Sequence, residues 1–189
     1  MRKFDLEAFK KRKEYDNTYC KYITINADGN TVETYIKENK NSYQETISNL
    51  NSPIKKRYMF DKKTLKITKE IKSFYDCIIG LRREDDQDGK IIKVIDNDKP
   101  FLFSWQDVVT KMKAEFDIDL MDISQMYKNN HTGSVSRSLQ EMKYFITVPN
   151  DFIPHTCSEE KFEIDATTGK LLFHMGNRKR TDQKTANIY

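Results

Sequence analysis

Alternating apolar and polar residues run through the first half of the chain and predict β-strands. The clearest case is residues 19–37, where two β-rich runs flank Ala27-Asp28-Gly29-Asn30. An Asp-Gly pair adopts positive φ angles at little cost and therefore favours a tight hairpin turn. The pattern predicts a β-hairpin over residues 19–37.

Four further β-rich runs follow, separated by polar turns, and an antiparallel meander is the simplest topology that joins them. The predicted strands are 54–60, 65–71, 74–83 and 90–95. The segment 38–53 before them is polar and ends at the breaker Asn51-Ser52-Pro53. We interpret it as a connection that contains a helical turn around Tyr43, Ile47 and Leu50.

A helical period begins at Ser104, which is a favourable N-cap residue, with Asp107 at the third helical position to complete a capping box. Apolar residues then recur along one helix face: Trp105, Val108, Val109, Met112 and Phe116. This face is expected to pack on a sheet. At this spacing Trp105 is interpreted as a core residue and not as a ligand-stacking aromatic.

The C-terminal part contains one more strand and a closing hairpin. The strand is predicted at 142–148, and residues 161–165 and 170–175 form the hairpin. Residues 128–140 are polar and lack periodicity, so they are interpreted as a surface loop. Residues 176–189 have almost no apolar content and are expected to be disordered.

These elements predict an α+β fold in which antiparallel β-hairpins and a meander carry an amphipathic helix packed on the sheet. We expect a β-hairpin and meander lobe with a short N-terminal helix over residues 1–98, a helix-plus-hairpin module over 99–175, and a disordered basic tail over 176–189.

The net charge of +4 is concentrated at the two ends of the chain. Residues 1–14 and 176–189 each carry +3, which leaves −2 for residues 15–175. A basic nucleic-acid face on the folded part is therefore not expected, and nucleic acid is not a predicted partner. The N-terminus has no apolar signal-peptide core and no stretch is long enough to span a bilayer, so the predicted location is the cytoplasm, without membrane association.

No catalytic or metal-binding constellation stands out, and the chain is predicted to be a binding protein that uses no cofactor and no metal. Cys20, Cys77 and Cys157 are widely spaced and form no Cys-x-x-Cys motif. The three histidines lack a spacing that would place a second ligand beside them, and the isolated glycines form no phosphate-binding loop. A Cys–His nucleophilic pair stays open as an alternative, since such partners meet in space and not in sequence.

The closing hairpin resembles that of PepSY-like domains, which read Ile-Asp-x-x-Thr-Gly-Lys followed by apolar residues. Here the sequence is Ile164-Asp165-Ala166-Thr167-Thr168-Gly169-Lys170. Asp165 is expected to accept hydrogen bonds from the turn amides, and Gly169 to supply a positive φ. The preceding helix and strand occur in the order of such a module, so the resemblance covers residues 101–175.

Residues 58–95 resemble the MORN-like repeats of Bacteroidota proteins, in which a Tyr-Asp-x-x-Gly-Lys-Leu turn joins two strands. Asp86-Gln87-Asp88-Gly89-Lys90-Ile91 matches this turn, whereas Lys63 stands where the other copy should have Gly. Leu65-Lys66-Ile67 and Ile91-Ile92-Lys93 lie 26 residues apart. The segment is either a degenerate two-copy repeat or a plain meander.

Small proteins that combine these modules are often found beside polymorphic or type VI secreted toxins. The resemblance therefore implies an immunity protein that binds and neutralises one cognate toxin; the alternative is a PepSY-type regulatory module that binds a peptide or a protease. Irregular segments commonly carry recognition residues. The predicted partner contacts are Tyr127, His131, Arg137, Phe152 and His155.

Overall fold

The computed structural model describes residues 2–13, 17–86, 88–128, 130–150 and 159–176. Its α-helices are α1 (Leu6–Arg12) and α2 (Trp105–Phe116), and a 3₁₀ turn covers Ile123–Met126. Its strands are β1 (Tyr19–Ile25), β2 (Thr31–Glu38), β3 (Ser42–Asn49), β4 (Ile54–Asp61), β5 (Ile67–Phe74), β6 (Cys77–Asp85), β7 (Ile91–Asp96), β8 (Tyr127–Lys128), β9 (His131–Thr132), β10 (Ser134–Ser138), β11 (Lys143–Pro149), β12 (Glu159–Asp165) and β13 (Leu171–Met175).

The fold is mainly β, so the predicted α+β class is wrong. Strands account for 52% of the described residues and helices for 14%. A seven-stranded antiparallel meander runs β1 to β7 in chain order, and a four-stranded sheet runs β10 to β13. The difference arises because two polar segments form strands. One of them was interpreted as a connection and the other as a loop.

The chain divides into two compact units. Unit 1 consists of Met1–Phe74 with Ile78–Asn97, and unit 2 consists of Tyr75–Cys77 with Asp98–Tyr189. Unit 1 therefore contains the meander and α1, whereas unit 2 contains α2 and the four-stranded sheet.

Strand β3 replaces the helical turn that was predicted around Tyr43, Ile47 and Leu50. Tyr43 is buried opposite Phe60 of β4, so β3 uses the two-residue period of a strand. The inward position between Tyr43 and Ile47 is occupied by the acidic residue Glu45, which hid that period in the sequence. Arg2 compensates this carboxylate through a 2.5 Å contact between its guanidinium and Glu45 Oε2.

The core of unit 1 lies between one face of the meander and the N-terminal segment. Phe4 N donates to Leu65 O at 2.9 Å, and the Phe4 ring stacks on Tyr43 with a centroid distance of 4.3 Å. Helix α1 begins after Asp5, whose carboxylate accepts from Ala8 N, and it buries Phe9. Their buried neighbours on the strands are Cys20, Ile36, Tyr58, Phe60 and Ile67. We call this side of the meander the covered face.

The core of unit 2 lies between α2 and the four-stranded sheet. The predicted helix and its capping box are confirmed: Ser104 Oγ accepts from Asp107 N, and the Asp107 carboxylate accepts from Ser104 N. Val108, Met112 and Phe116 of this helix are fully buried, with the Phe116 ring centroid 4.8 Å from that of Phe162 on β12. Trp105 is half-buried at the first turn.

Two other boundaries differ from the sequence prediction. The predicted loop 128–140 contains β9 and β10, and β10 pairs with β11 through Val135 opposite Ile146. Serines flank Val135 and give no alternation of apolar and polar residues, so the strand is identified only by its pairing with β11. The predicted strand 74–83 is interrupted by a turn at Tyr75 and Asp76, where Tyr75 adopts a φ of +47° without any glycine to signal it.

Candidate protein-binding surfaces

Tyr127 and His131, two of the predicted partner contacts, are both exposed and lie on a short hairpin. Lys128 of β8 pairs with His131 of β9, and the Tyr127 hydroxyl lies 3.3 Å from Asn130 Oδ1. Phe152 and His155 lie outside the described residues, as do residues 177–189 of the predicted tail. Partner binding by these side chains stays a prediction.

Arg137 occupies an interior position in unit 2. Its side chain is only 5% exposed, and its guanidinium contacts Asp98 Oδ1 at 2.8 Å. The same guanidinium lies over the Phe101 ring, with Arg137 Cζ 4.2 Å from the ring centroid. Arg137 was predicted as a partner contact because Arg is common in interfaces, but its charged group is turned inward and does not contribute to the exposed surface.

The described residues offer little for metal or nucleophilic chemistry. Within them, no group of three or more His, Cys, Asp and Glu side chains could hold a metal ion. Cys20 and Cys77 are free and buried, and burial raises the pKa of the Cys77 thiol to about 12. A thiol with this pKa is protonated at neutral pH and is a poor nucleophile.

The closest arrangement to an acid–base pair is that of His174 and Glu160 in unit 2. His174 Nε2 lies 3.3 Å from Glu160 Oε2, and the imidazole stacks on Phe162 with a centroid distance of 4.4 Å. Gly176 covers the carboxylate so closely that a Cβ there would lie 2.4 Å from Glu160 Cγ. Glu160 is 2% exposed, so this pair is an interior contact of unit 2.

We call the opposite side of the meander the open face. Most of the basic residues of the sheet lie on it. The register places Lys21 opposite Tyr35, Tyr35 opposite Thr46, and Thr46 opposite Arg57. An ion pair of 3.3 Å between Lys69 and Glu84 extends this face from β5 to β6. Seven basic residues share the open face: Lys21, Lys37, Lys55, Arg57, Lys69, Arg82 and Lys93.

Among the described strand residues, three acidic ones share the open face, so its net charge is +4: Glu33, Glu84 and the strand-end Asp61. The covered face has the opposite bias, with acidic residues Glu38, Glu45, Glu70, Asp85 and Asp96 and basic residues Lys56, Lys72 and Arg83. The net charge of −2 for residues 15–175 concealed this separation, because neighbouring residues of a strand point to opposite faces of the sheet.

Part of the open-face charge is neutralised within the sheet and part is not. Glu33 lies 2.5 Å from Lys21 Nζ, and Glu84 lies 3.3 Å from the charged groups of both Lys69 and Arg82. The hydrogen bond from Lys69 lowers the pKa of Glu84, so this carboxylate is charged at neutral pH. By contrast, Lys37, Lys55 and Arg57 are exposed and have no ion-pair partner among the described residues.

No family model, curated protein or solved structure matches this chain. The described part of the chain contains no helix long and apolar enough to cross a membrane. The PepSY-like and MORN-like resemblances stay predictions.

A second surface feature lies at the β7 edge of the meander. Leu81, Ile91, Ile92 and Val94 are 49–64% exposed, and we call them the β7 patch. Val94 lies opposite Arg83, and Arg83 is two residues from Leu81 along β6. Residues two apart on a strand point to the same face, so Val94 and Leu81 share one face. A register shift between Glu84 and Asp85 leaves Ile92 as an extra residue on β7.

The β7 patch is also at the end of the hydrogen-bonded sheet. Strand β7 is the terminal strand of the seven, so its outer edge is not paired with another strand of the sheet. The sequence showed an apolar run here and correctly predicted a strand. Sequence patterning could not indicate that this strand is terminal, because that property depends on which strands pair.

Proposed function

We propose that the chain is an immunity protein that binds and neutralises a cognate toxin, and that the β7 patch contacts the toxin. The observation that carries this proposal is the cluster of large apolar side chains on a terminal strand. Water-exposed apolar groups in contiguous patches are typical of protein interaction sites, and isolated ones are not.

The terminal position of β7 strengthens this interpretation. Exposed edge strands are usually protected by charges, prolines or covering segments, because an unpaired edge accepts a strand from another chain. Strand β7 carries Lys93 and Asp96, yet Ile92 and Val94 remain more than half exposed. A partner that covers these side chains would remove apolar surface from water and supply hydrogen bonds to the edge.

The alternative, a PepSY-type module that binds a peptide or a protease, is favoured by a separate observation in unit 2. Strand β13 is the terminal strand of the four-stranded sheet, and its Leu172, Phe173 and Met175 are exposed. An extended peptide could add to this edge in the same way. The two candidates therefore predict different binding edges.

The test is co-expression of the protein with the products of its neighbouring genes, one at a time, followed by measurement of growth and of affinity with purified proteins. Replacing Ile92 and Val94 by Lys should abolish protection and weaken binding by about thirtyfold or more, equivalent to about 2 kcal/mol. The matched control is Leu102→Lys, which changes an exposed apolar residue elsewhere.

Three further variants separate the other candidates. Loss of binding only in Leu172→Lys with Phe173→Lys would support the β13 edge and the PepSY-type alternative. Loss only in Tyr127→Ala or His131→Ala would place recognition on the β8–β9 hairpin. Unchanged protection by the Ile92→Lys, Val94→Lys variant would refute the proposed role of the β7 patch.

A further inference from the structure

We infer that the open face of the meander docks a carboxylate-rich surface of a protein partner. This inference rests on the proposed function in that it assumes a protein partner, and it adds the chemistry of the surface that this partner presents. The open face and the β7 patch are different surfaces of unit 1, so each can be tested without the other.

The open face carries cations that have no ion-pair partner among the described residues. Lys37, Lys55 and Arg57 are exposed, and the residues opposite Lys55 and Arg57 on β3 are the uncharged Ser48 and Thr46. The sheet therefore gives these cations no neutralising neighbour across the strand pair. Carboxylates of a partner would satisfy them, and Arg57 presents the planar guanidinium that binds a carboxylate through two hydrogen bonds.

The sheet holds these cations in a defined arrangement. Lys55 and Arg57 project from the same face of β4, separated by about 6.8 Å along the strand. Lys37 lies two strands away on β2, which places it about 10 Å across the sheet. Charges held on a hydrogen-bonded sheet lose less conformational freedom on binding than charges on a loop.

The composition of the face favours a protein over a nucleic acid. The cations are distributed over strands from β1 to β7, whereas nucleic-acid backbones follow one basic groove. The same face also carries apolar Ile23, Ile25 and Met59, which suit the mixed apolar and polar character of a protein interface.

Strand β4 contains a matched control for this inference. Lys55, Lys56 and Arg57 are consecutive and all exposed, yet Lys56 lies on the covered face. Its cross-strand neighbour on β5 is Lys72, which is also exposed. Two double variants therefore make the same change in net charge on opposite faces: Lys55→Glu with Arg57→Glu, and Lys56→Glu with Lys72→Glu.

The experiment measures fluorescence anisotropy with two polyanions, poly-L-glutamate and single-stranded oligo-dT, at low salt and again at physiological salt. Circular dichroism melts confirm that each variant is folded, and Lys37→Glu with Lys93→Glu serves as a second open-face variant. We expect poly-L-glutamate to bind the parent and to bind open-face variants at least about tenfold more weakly, whereas the covered-face variant changes by less than about twofold.

Three results would overturn the inference: no binding of poly-L-glutamate to the parent, equal losses in open-face and covered-face variants, or tighter binding of oligo-dT that is lost in the same open-face variants. The last result would identify a nucleic-acid site instead. Because no toxin is present in this assay, a failed immunity test leaves its outcome unaffected, and a failed polyanion test leaves the β7 experiment unaffected.

Discussion

Two turns in different units are built by the same set of side-chain hydrogen bonds. Asp61 Oδ1 accepts from Lys63 N, Thr64 N and the Thr64 hydroxyl. Asp165 Oδ1 accepts from Thr167 N, Thr168 N and the Thr168 hydroxyl in the same way. The residue after each threonine has a positive φ: +56° at Leu65 and +72° at Gly169. The motif Asp-x-x-Thr followed by a left-handed residue therefore specifies this turn.

These hydrogen bonds lead to a prediction about pH. They lower the pKa of Asp165, so the folded state favours the carboxylate more than the unfolded state does. The stabilisation is present above the ordinary Asp pKa of about 3.9 and is lost as the pH falls through the lower folded-state value. Asp165→Ala should therefore lower the melting temperature at pH 7, and the difference from the parent should shrink in acid.

Thermal melts of parent and variant from pH 7 to pH 2.5 would test this, with Thr167→Ala as the control because its side chain makes no hydrogen bond among those described for the turn. A difference that stays constant across the pH range would show that the Asp165 carboxylate does not contribute through its charge.

Burial of Cys77 predicts low chemical reactivity. Cys77 is 1% exposed, and desolvation raises the pKa of its thiol to about 12. In a variant with Cys20 and Cys157 replaced by Ser, iodoacetamide should modify Cys77 at least about a hundredfold more slowly in the folded protein than in urea, since the thiolate is the reactive form. Mass spectrometry would follow the adduct, and rapid native labelling would contradict the buried position.

At the scale of elements, α2 was predicted correctly because its signals are local. The capping box at Ser104 and the 3.6-residue period depend on residues within one helix, and packing on the sheet stabilises that helix further. Strand β3 was missed because the acidic Glu45 occupies an inward position, where the guanidinium of Arg2 compensates its charge. Strand β10 was missed because it has one buried apolar residue, Val135.

The packing of α2 predicts unequal effects of two aromatic substitutions. Phe116 is fully buried and contacts Phe162, so Phe116→Ala should lower the free energy of unfolding by about 3–5 kcal/mol. Trp105 is half-buried, so Trp105→Ala should cost less than Phe116→Ala. Urea denaturation of both variants measures this, and equal losses would indicate that Trp105 is as tightly packed as Phe116.

At the scale of the whole molecule, the order of the meander leaves terminal strands with one unpaired edge. Whether such an edge associates with another chain depends on the charge and size of a few side chains. Ile92 on β7 is an uncharged residue, and it is 64% exposed among the residues that the structure describes. Charged residues at such positions prevent edge-to-edge association.

The free protein is therefore expected to self-associate reversibly at high concentration, and Ile92→Lys should reduce this association. Sedimentation velocity over a concentration series would measure it, with Leu102→Lys as the control for the added charge. A parent protein that stays monomeric throughout would show that the β7 edge does not accept another copy, and it would leave toxin binding as the remaining test of the patch.

The sequence by itself determined part of the local structure: the hairpin turns marked by Asp and Gly or Thr, the capped helix α2, and strands β4 and β7 of the meander. These features depend on residues within a few positions of each other, such as Asp165 with Thr168 or Ser104 with Asp107. Only the tertiary structure decided which surfaces can bind a partner. Strand pairing separated the charges into an open and a covered face, made β7 a terminal strand, and turned the charge of Arg137 inward toward Asp98. Such properties depend on contacts between residues distant in sequence, and no local pattern records them.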